Sequence, residues 1–583
     1  MVLAQQFGLL EIVVIIAYFG VVGFLGWLGY QRTHSTADYL VAGRKTHPFI
    51  MAMSYGATFI STSAIVGFGG VAGLYGMSIL WLVFLNIFVG IFLAFVVLAP
   101  RTRRLGHHLD AHTFPELLGK RFNSKFIQVF AGSIIFLFVP LYAAAVMIGG
   151  CEFMYTEFGI SFETALLIFS AVVAVYVIFG GIKGVMYTDA FQGTIMIGAM
   201  LILLVATYAS LGGPTQAHEN LGELKDLALA PHQAMGHRGW TATPEFGFGE
   251  KKYDLWWIMF STIAMGVGIG VLAQPQLVVR FLTVKSRKEL NRAVILGGLF
   301  ILLIPGTAYV VGSVSNVWFT QKGQEIEGRV VRMIDEDRGH AMLEWTGPGK
   351  DGKDKLRTDP VVLTQRPAAE GELARGRSIA IVNARDISDQ IIPTFITQAM
   401  PKWFRVLFLL TLLAAAMSTL SSQFHTIGTA ISRDVYGRLV PRGGQGIGVM
   451  RIGVIIGIIV ATTIGYYARG GSMVIARATA IFFGLCVSTF LPAYFGGLFF
   501  KRMPRGAAIA SMIVGFAATA FWLLLVKGAE ASALGLVQMV TGGKASILAA
   551  YPNWPMVDPI CVALPLSILT AIVVSLVRPA KAA

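Results

Sequence analysis

Residues 56–70 read GATFISTSAIVGFGG and lie inside a long apolar segment. The stretch combines several glycines with the hydroxyl side chains of Thr58, Ser61, Thr62 and Ser63. A backbone polar group without a partner in hydrocarbon costs several kcal/mol, so a helix can break at this depth only where protein or a water-filled cavity surrounds the break. Transporters place ion and substrate sites at such breaks, because the freed carbonyl oxygens can bind a cation. Packing of small residues between helices gives a similar composition, so the interpretation depends on a partner stretch elsewhere.

The partner stretch is residues 414–423, which read AAAMSTLSSQ inside another apolar segment. At about 100° per residue on a helix, Ala415, Ser418, Thr419 and Ser422 share one face. Neighbouring hydroxyls beside a small residue offer the hard oxygen ligands that a small alkali cation requires. Hydroxyls also bond back to their own helix or join two helices. The two stretches together favour a cation site over these structural roles.

The composition is that of a polytopic membrane protein. Of the 583 residues, 55% are hydrophobic and only 13% are charged, and the mean hydropathy is +0.69. A soluble protein could not bury so much apolar surface. The net charge of +15 does not indicate nucleic-acid binding, because the Lys and Arg residues lie in loops between apolar segments. The three cysteines are scattered and predict neither a disulfide framework nor a metal site.

The hydropathy pattern predicts an all-α protein with about 13 transmembrane helices, each near the roughly 20 residues that a bilayer requires. The first span has no basic leader, so no cleavable signal peptide is expected. The predicted spans cover residues 9–30, 48–74, 77–100, 124–150, 161–182, 188–211, 254–279, 293–317, 402–432, 447–467, 474–500, 506–527 and 557–577.

Basic residues are concentrated in the loops that follow odd-numbered spans. Such loops face the cytoplasm, so the pattern predicts an integral plasma (inner) membrane protein with its N-terminus outside and its C-terminus cytoplasmic. The residues concerned are Arg32, Arg44, Lys45, Arg101, Arg103, Arg104, Lys120, Arg121, Lys125, Arg280, Lys285, Arg287, Lys288, Arg292, Arg433, Arg438, Arg442, Lys501, Arg502 and Arg505.

Two external loops are long. Residues 212–254 are polar and predict a partly ordered cap, whereas residues 321–386 contain short apolar-alternating runs such as GRVVRMI and SIAIVNA between Gly, Asp and Pro. Such runs predict β-strands, so a small β-rich extracellular insert is expected. It could be a passive insertion, since loops accept length at little cost, or it could capture substrate or bind a partner.

Four motifs carry a resemblance to a known family. They are GATFISTSAIVGFGGVAGLYG in the second span, FGGIKGVMYTDAFQG between the fifth and sixth, AQPQLVVRF at the end of the seventh, and LLAAAMSTLSSQ in the ninth. Together they resemble the sodium:solute symporters, which carry sugars, proline, pantothenate, sialic acid, monocarboxylates and iodide. The resemblance implies a five-plus-five inverted-repeat core. The leading helix and first loop would be 1–46, the first repeat and the start of the second 47–320, the insert 321–386, the rest of the second repeat 387–500, and two trailing helices with a short tail 501–583.

The resemblance also implies ion ligands. The family's shared sodium site would use the carbonyls of Ala57, Ile60 and Ala415 and the hydroxyls of Ser418 and Thr419. A second sodium, bound in some members, would use Ser61, Asp189, Ser421 and Ser422. Asp189 begins the predicted sixth span, where a carboxylate also suits the helix dipole.

Five polar residues near the break are candidates for substrate binding, although each could instead make an interhelical hydrogen bond of about 1 kcal/mol. They are Thr58, Thr62, Ser63, Asn86 and Gln274. The chain has Ala64, Val83, Gly270 and Val271 where sugar-carrying members have polar or aromatic groups. The sequence looks closest to the pantothenate and monocarboxylate branches, which implies a small organic anion.

These observations predict a sodium-coupled symporter that imports a small organic anion and works in a lipid bilayer. No catalytic motif is visible, so neither an enzyme nor a cofactor other than co-transported sodium is expected. The alternatives are a membrane sensor with a transporter fold and a proton-coupled permease for amino acids or sugars. A sensor normally needs a signalling domain, and proton coupling usually needs buried titratable groups, of which the spans contain few.

Overall fold

A computed structural model describes residues 9–32, 40–42, 46–284, 286–350, 352–365, 369–440, 447–469 and 473–577. Of the sequence predictions, those for Arg44, Lys45, Lys285, Arg442 and the tail after residue 577 lie outside these ranges. The α-helices are α1 Leu9–Gln31, α2 Pro48–Phe59, α3 Phe68–Tyr75, α4 Leu80–Leu85, α5 Ala99–His108, α6 Phe114–Arg121, α7 Lys125–Phe158, α8 Phe162–Ser210, α9 Pro214–Glu223, α10 Ala230–Ala234, α11 Asp254–Trp257, α12 Gly266–Gly270, α13 Pro275–Leu282, α14 Arg287–Lys322, α15 Ala380–Asn383, α16 Ile391–Ala399, α17 Lys402–Thr429, α18 Gly437–Leu439, α19 Ile447–Ala468, α20 Val474–Phe499, α21 Arg505–Phe521, α22 Gly528–Leu534, α23 Leu536–Thr541 and α24 Ile560–Val577.

Short π and 3-10 segments connect or extend many of these helices. The π segments are Ser63–Gly67, Asn86–Leu98, Ile258–Met265, Ala430–Tyr436 and Trp522–Val526. The 3-10 turns are Met77–Ile79, Leu224–Leu227, Lys251–Tyr253, Val271–Ala273, Ser388–Gln390 and Trp554–Met556. The strands are β1 Glu325–Asp335, β2 His340–Pro348, β3 Asp354–Leu363 and β4 Leu373–Ser378.

The helices confirm the predicted polytopic membrane architecture. Within the described residues, eleven helices are long and apolar enough to span a bilayer, and a bent helix pair makes a twelfth. The fifth predicted span, 161–182, corresponds to the shorter apolar segment Phe162–Ala174. It is joined to the sixth span in the continuous helix α8, because the intervening GGIKG sequence contains no proline and the helical hydrogen bonds continue through it.

The bent pair is the glycine- and hydroxyl-rich stretch of the second span. Its two halves, Phe49–Phe59 and Ser63–Tyr75, meet at an angle of 53°. Ile60 has an extended backbone, and its N–H makes the last hydrogen bond of the first half, to Gly56 O. The Ser61 hydroxyl accepts a hydrogen bond from Ser63 N at 3.2 Å, which satisfies a donor at the start of the second half. The predicted interruption of this span is therefore confirmed.

The predicted β-rich insert is a closed four-stranded antiparallel barrel in the order β1-β2-β3-β4. It has its own hydrophobic core, which includes Val330, Leu343 and Val361. The first and last strands pair with each other, and Glu325 lies opposite Arg377. The barrel therefore begins and ends at one place on the helical bundle, between α14 and α15. We call this end of the bundle the barrel face.

The long loop 212–254 is ordered and packs onto the second half of the broken helix, Ser63–Tyr75. We call it the cap loop. Trp240 is buried, and its indole N–H donates to Gly73 O at 2.8 Å. Met77 N donates to Trp240 O at 2.7 Å. A Cβ on Gly76, whose φ is +90°, would lie 2.2 Å from Trp240 O, so glycine permits this close approach.

Candidate ion and substrate site

The broken helix and α17 meet in the interior of the bundle. The Ser418 hydroxyl lies 2.8 Å from Ala57 O and 3.1 Å from Ala415 O. The Thr419 hydroxyl lies 3.4 Å from Ala57 O and 3.5 Å from Ile60 O. The structure thus brings together all five oxygens named for the first sodium, although the two stretches are separated by about 360 residues of sequence.

The break explains why these oxygens are available. Because the last backbone hydrogen bond of α2 ends on Gly56 O, the carbonyls of Ala57 in its last turn and of Ile60 at its C-cap receive no hydrogen bond from that helix. The neighbouring hydroxyls of α17 are buried and face these carbonyls. The result is a compact group of three carbonyl and two hydroxyl oxygens. The hydrogen bonds among these five groups are donated by the hydroxyls of Ser418 and Thr419 to the carbonyl oxygens. Such a group suits a small hard cation.

The four residues named for a second sodium are placed differently. Ser422 and Asp189 lie around one shared partner, Arg280. The Ser61 hydroxyl instead accepts a hydrogen bond from Tyr142 at 3.2 Å, and Ser421 donates to the helical carbonyl of Ser418 at 3.1 Å. These four residues therefore divide among three local environments.

Arg280 is a fully buried cation that the sequence analysis assigned only to a basic loop. Its Nη2 atom lies 3.1 Å from Asp189 Oδ2 and 2.6 Å from the Ser422 hydroxyl, and it also contacts Thr58 Oγ1. Its Nε donates to the Ser54 hydroxyl at 3.1 Å. Both ends of the ion pair are at most 1% exposed. The arginine lies on α13, inside the AQPQLVVRF motif. Proline is common at the first position of a helix, so Pro275, five residues earlier, was a sequence signal that Arg280 lies on a helix and not in a loop.

A small cavity lies beside the break. Its volume of about 20 Å³ is room for about one water molecule, so the cavity is nearly closed. Ser61, Ser63, Asn86 and Thr479 contribute polar groups, and among the described residues no charged side chain lines it. The remaining lining is apolar or aromatic: Phe59, Ile60, Ala64, Phe68, Tyr142, Val267, Tyr309 and Phe483.

Two of the five substrate candidates line this cavity. The Ser63 hydroxyl and Asn86 Oδ1 are buried and find no hydrogen-bond partner among the described residues. Buried polar groups are normally satisfied, so an unpartnered pair facing a cavity indicates a place where a bound molecule supplies the missing bonds. The other three have different surroundings. Thr58 contacts Arg280, Thr62 donates to Val146 O, and Gln274 Oε1 accepts from Gln276 at 3.0 Å.

The aromatic lining of the cavity was missed by sequence reasoning. Tyr142, Tyr309 and Phe483 come from three separate helices, α7, α14 and α20. Each looks like an ordinary membrane-helix residue, because aromatic side chains are frequent in apolar spans. Their convergence around the break follows from helix packing alone.

A short segment, residues 388–399, packs against the second half of the broken helix, Ser63–Tyr75; we call it the gate segment. A Cβ on Gly70 in this half would lie 2.1 Å from Ser388 O. Asp389 is buried and accepts a hydrogen bond from Ile475 N at 3.4 Å. Burial, together with the nearby charge of Glu152, raises the pKa of Asp389 to about 7.

A second small cavity, of about 20 Å³, lies beside Arg280. Arg280 and Ser422 line it together with His112 and Thr113, which lie between helices α5 and α6. The buried ion pair therefore borders a small space that the α5–α6 connection also lines.

Comparison with known proteins gives a consistent result. The family model described as the sodium:solute symporter family matches residues 39–335 and 370–515. The chain is 24% identical to the osmoregulated proline transporter OpuE of Bacillus subtilis, over 91% of this chain and 92% of the relative. It is 25% identical to sodium/proline symporter 2 of Staphylococcus saprophyticus, over 92% and 91%. A Na⁺-coupled sialic acid symporter, solved in a substrate-bound outward-open state, has a similar fold, with a TM-score of 0.68 at 17% identity over 99% of both chains.

Proposed function

The chain belongs to the sodium:solute symporter family, and on that premise we propose that it uses one sodium ion per cycle to import a small organic anion, such as a monocarboxylate or a pantothenate-like acid. The observation that carries the proposal is the group of five oxygens from Ala57, Ile60, Ala415, Ser418 and Thr419. In the ion-bound state, the two hydroxyls turn their lone pairs toward sodium. The ion then joins the broken helix to α17 and fixes the shape of the cavity beside it.

The surroundings of Asp189 support a single ion. A cation placed beside this carboxylate would have to displace the guanidinium of Arg280, which already neutralises it and also contacts Ser422 and Thr58. Displacing a buried, hydrogen-bonded charge is costly, since the arginine would keep its charge without its partner. Asp189 is thus neutralised by the protein itself, and the five oxygens are the place where we expect sodium to bind.

The lining of the cavity supports a small substrate with few polar groups, which would bind when the surrounding helices move apart. Ser63 and Asn86 offer hydrogen bonds to a carboxylate or an amide, while Phe68, Tyr309 and Phe483 suit an apolar body. A sugar would need many more directional hydrogen bonds than this lining provides. Because none of the described residues that line the cavity is cationic, the positive charge that holds an anion would come from the sodium ion itself.

A second candidate substrate is a zwitterionic amino acid with an apolar side chain. Two relatives of similar length are named as proline transporters, and the aromatic lining of the cavity suits a small hydrocarbon ring. The carboxylate of such a molecule would use the same unpartnered groups as that of a monocarboxylate.

We place the barrel face outside the cell, since basic residues such as Arg101, Arg104 and Arg121 lie at the other end of the bundle. Sodium and substrate would enter under the gate segment and leave through the cavity beside Arg280. Each positive charge that moves inward across 100 mV supplies about 2.3 kcal/mol. For a monovalent anion the sodium gradient alone drives accumulation, because the pair carries no net charge, whereas for a zwitterion the potential adds to the gradient.

Uptake by purified protein in liposomes tests the proposal. An inward sodium gradient should drive uptake of a radiolabelled substrate found by screening monocarboxylates, pantothenate, proline and glucose. The double substitution Ser418→Ala/Thr419→Ala removes two of the five oxygens and should raise the sodium concentration for half-maximal uptake at least about tenfold, which corresponds to about 1.4 kcal/mol. Ser421→Ala is the matched control, because its hydroxyl bonds only within α17. Normal uptake by the double variant at low sodium would refute the site.

The response of the uptake rate to an imposed membrane potential distinguishes an anionic substrate from a zwitterionic one. One sodium ion moving with a monovalent anion carries no net charge, so an imposed potential should leave the rate unchanged. One sodium ion moving with a zwitterion carries one positive charge, and an inside-negative potential should accelerate uptake. Uptake that is indifferent to sodium but driven by a proton gradient would contradict both.

A further inference from the structure

The hairpin between β1 and β2 presents two potential metal ligands side by side. Asp335 ends β1 and His340 begins β2, and the two are directly paired across the strands. Side chains of directly opposed residues in an antiparallel pair lie on the same face, with their Cβ atoms about 5 Å apart. The intervening turn uses Gly339 with a φ of +69°, so the chain can reverse within four residues.

A third group comes from a remote part of the sequence. Asp226 lies in the 3-10 turn Leu224–Leu227 of the cap loop. One carboxylate oxygen of Asp226, one of Asp335 and one ring nitrogen of His340 all lie within 4.8 Å of one another. The cap loop and the barrel are thus in contact through three groups of the kind that ligate metals.

The surroundings of the triad favour a cation. His340 is only 3% exposed, and both aspartates are half-buried, so the carboxylates are partly shielded from water. Arg338 orients Asp335: its backbone N–H donates to Oδ1 at 3.1 Å and its Nη1 lies 2.8 Å from Oδ2. The one positive charge of Arg338 does not balance two carboxylates.

We propose that Asp226, Asp335 and His340 form a binding site for a divalent transition-metal ion, with zinc as the best match, that ties the cap loop to the barrel. One imidazole and two carboxylates are ligands that zinc accepts, and a site with three protein ligands keeps a fourth position for water. Arg338 acts as the outer group that orients one ligand.

The position of the site gives the ion a structural role at the barrel face. The cap loop is anchored to the broken helix through Trp240. The barrel is anchored to the chain before the gate segment through an ion pair of 2.9 Å between Arg357 and Asp386. An ion held between the cap loop and the barrel would therefore connect a structure anchored to the broken helix with one anchored to the chain before the gate segment. The binding site does not depend on sodium-coupled transport.

Zinc binding to the purified full-length protein tests the inference. Zinc chloride, added to protein freed of metals with a chelator, should raise the melting temperature in a saturable manner with one ion bound per chain, and renewed chelation should reverse the shift. His340→Ala and Asp226→Asn should each weaken zinc binding at least about tenfold. His218→Ala is the matched control: this histidine lies in the same cap loop, bonds to Tyr208 at 2.9 Å and should leave zinc binding unchanged.

Three outcomes would overturn the inference. One is the absence of any zinc-dependent shift in the wild-type protein. Another is an undiminished shift in both Asp226→Asn and His340→Ala, which would place the ion elsewhere. The third is an equal shift with magnesium, because a hard ion that prefers oxygen and keeps its water would indicate only charge screening. Asp226→Asn lies outside the barrel, so it remains a valid test if His340→Ala perturbs the barrel's folding.

Discussion

Among single residues, Arg280 most changes the expected chemistry of the site. A carboxylate inside a membrane bundle with serines around it looks like a cation ligand when only the sequence is known. The structure supplies the cation from the protein itself, within 3.1 Å of Asp189. The serines and threonine that could have bound a metal ion instead accept hydrogen bonds from the guanidinium.

The Arg280–Asp189 pair should behave as a coupled unit. Either Arg280→Gln or Asp189→Asn leaves one buried charge unpaired, which typically costs about 3–5 kcal/mol, so each should lower the melting temperature markedly. The double variant should recover part of this loss, because both charges are then removed. Thermal melting of the four proteins measures the coupling directly.

Arg292→Gln is the control for this comparison, since Arg292 is exposed near the start of α14 and the substitution makes the same charge change. It should melt like the wild type. Strictly additive effects of Arg280→Gln and Asp189→Asn would contradict the coupling of the pair.

At the scale of elements, the second half of the broken helix, Ser63–Tyr75, and the gate segment are in direct backbone contact. Gly70 faces the Ser388 carbonyl with no room for a side chain. Closely packed small-residue contacts of this kind let two elements approach fully and hold a single arrangement. We therefore expect the position of the gate segment relative to the broken helix to depend on this backbone contact.

Gly70→Ala should impair closure of the gate segment. The added Cβ would lie 2.1 Å from Ser388 O, and relieving such a clash typically costs about 1–3 kcal/mol. We expect the uptake rate to fall about tenfold, with sodium affinity little changed because the five oxygens are not touched. Gly306→Ala on α14, where a Cβ would meet nothing within 4 Å, should transport normally. Equal rates for the two variants would argue against a tight gate contact.

The same gate segment should be sensitive to pH through Asp389. The pKa of this carboxyl is raised from 3.8 to about 7 by burial and by the charge of Glu152, so the folded protein binds this proton more tightly than the unfolded chain. The resulting stabilisation is fully present below about pH 4 and is lost as the pH rises through about 7. The melting temperature of the wild type should therefore fall between pH 5 and 8.

Asp389→Asn, which cannot ionise, should flatten this pH dependence of the melting temperature. Asp354→Asn, at an exposed position on the barrel, should keep the wild-type profile. An unchanged slope in Asp389→Asn would assign the pH dependence to other groups.

For the whole molecule, the barrel is an addition to a helical transporter core. The family model matches the chain on either side of residues 336–369, which contain β2 and β3, two of the four strands of the barrel. The barrel has a separate hydrophobic core, and its first and last strands are adjacent. The same barrel is linked by Arg357 to the segment before the gate. The protein thus combines an independent module with a local connection to the gate.

Replacing residues 324–378 by a short Gly/Ser linker should leave the sodium site intact. Glu325 and Arg377 are paired neighbours, so the linker has only a short gap to close. We expect the sodium concentration for half-maximal uptake to stay within about twofold of the wild-type value, because neither the five oxygens nor the cavity includes a barrel residue. The zinc-dependent rise in melting temperature should disappear with Asp335 and His340. Loss of sodium dependence would show that the barrel is part of the core.

The sequence by itself determined the membrane class, the broken second span, the β-rich insert and the two stretches that supply the five oxygens. Each of these depends on local properties: hydropathy, helical or alternating periodicity, and the clustering of glycines and hydroxyls. Such properties act over a few turns of chain and are visible in any window of that length.

Only the tertiary structure decided which partner each polar group has. Arg280 faces Asp189 instead of water, Thr62 bonds to α7 instead of a substrate, and Asp226 meets a hairpin more than a hundred residues away. The energy of a buried polar group depends on its neighbours in space, because water is excluded and every donor and acceptor must be satisfied by what packs against it. Those neighbours come from other helices and strands, so no local pattern can identify them.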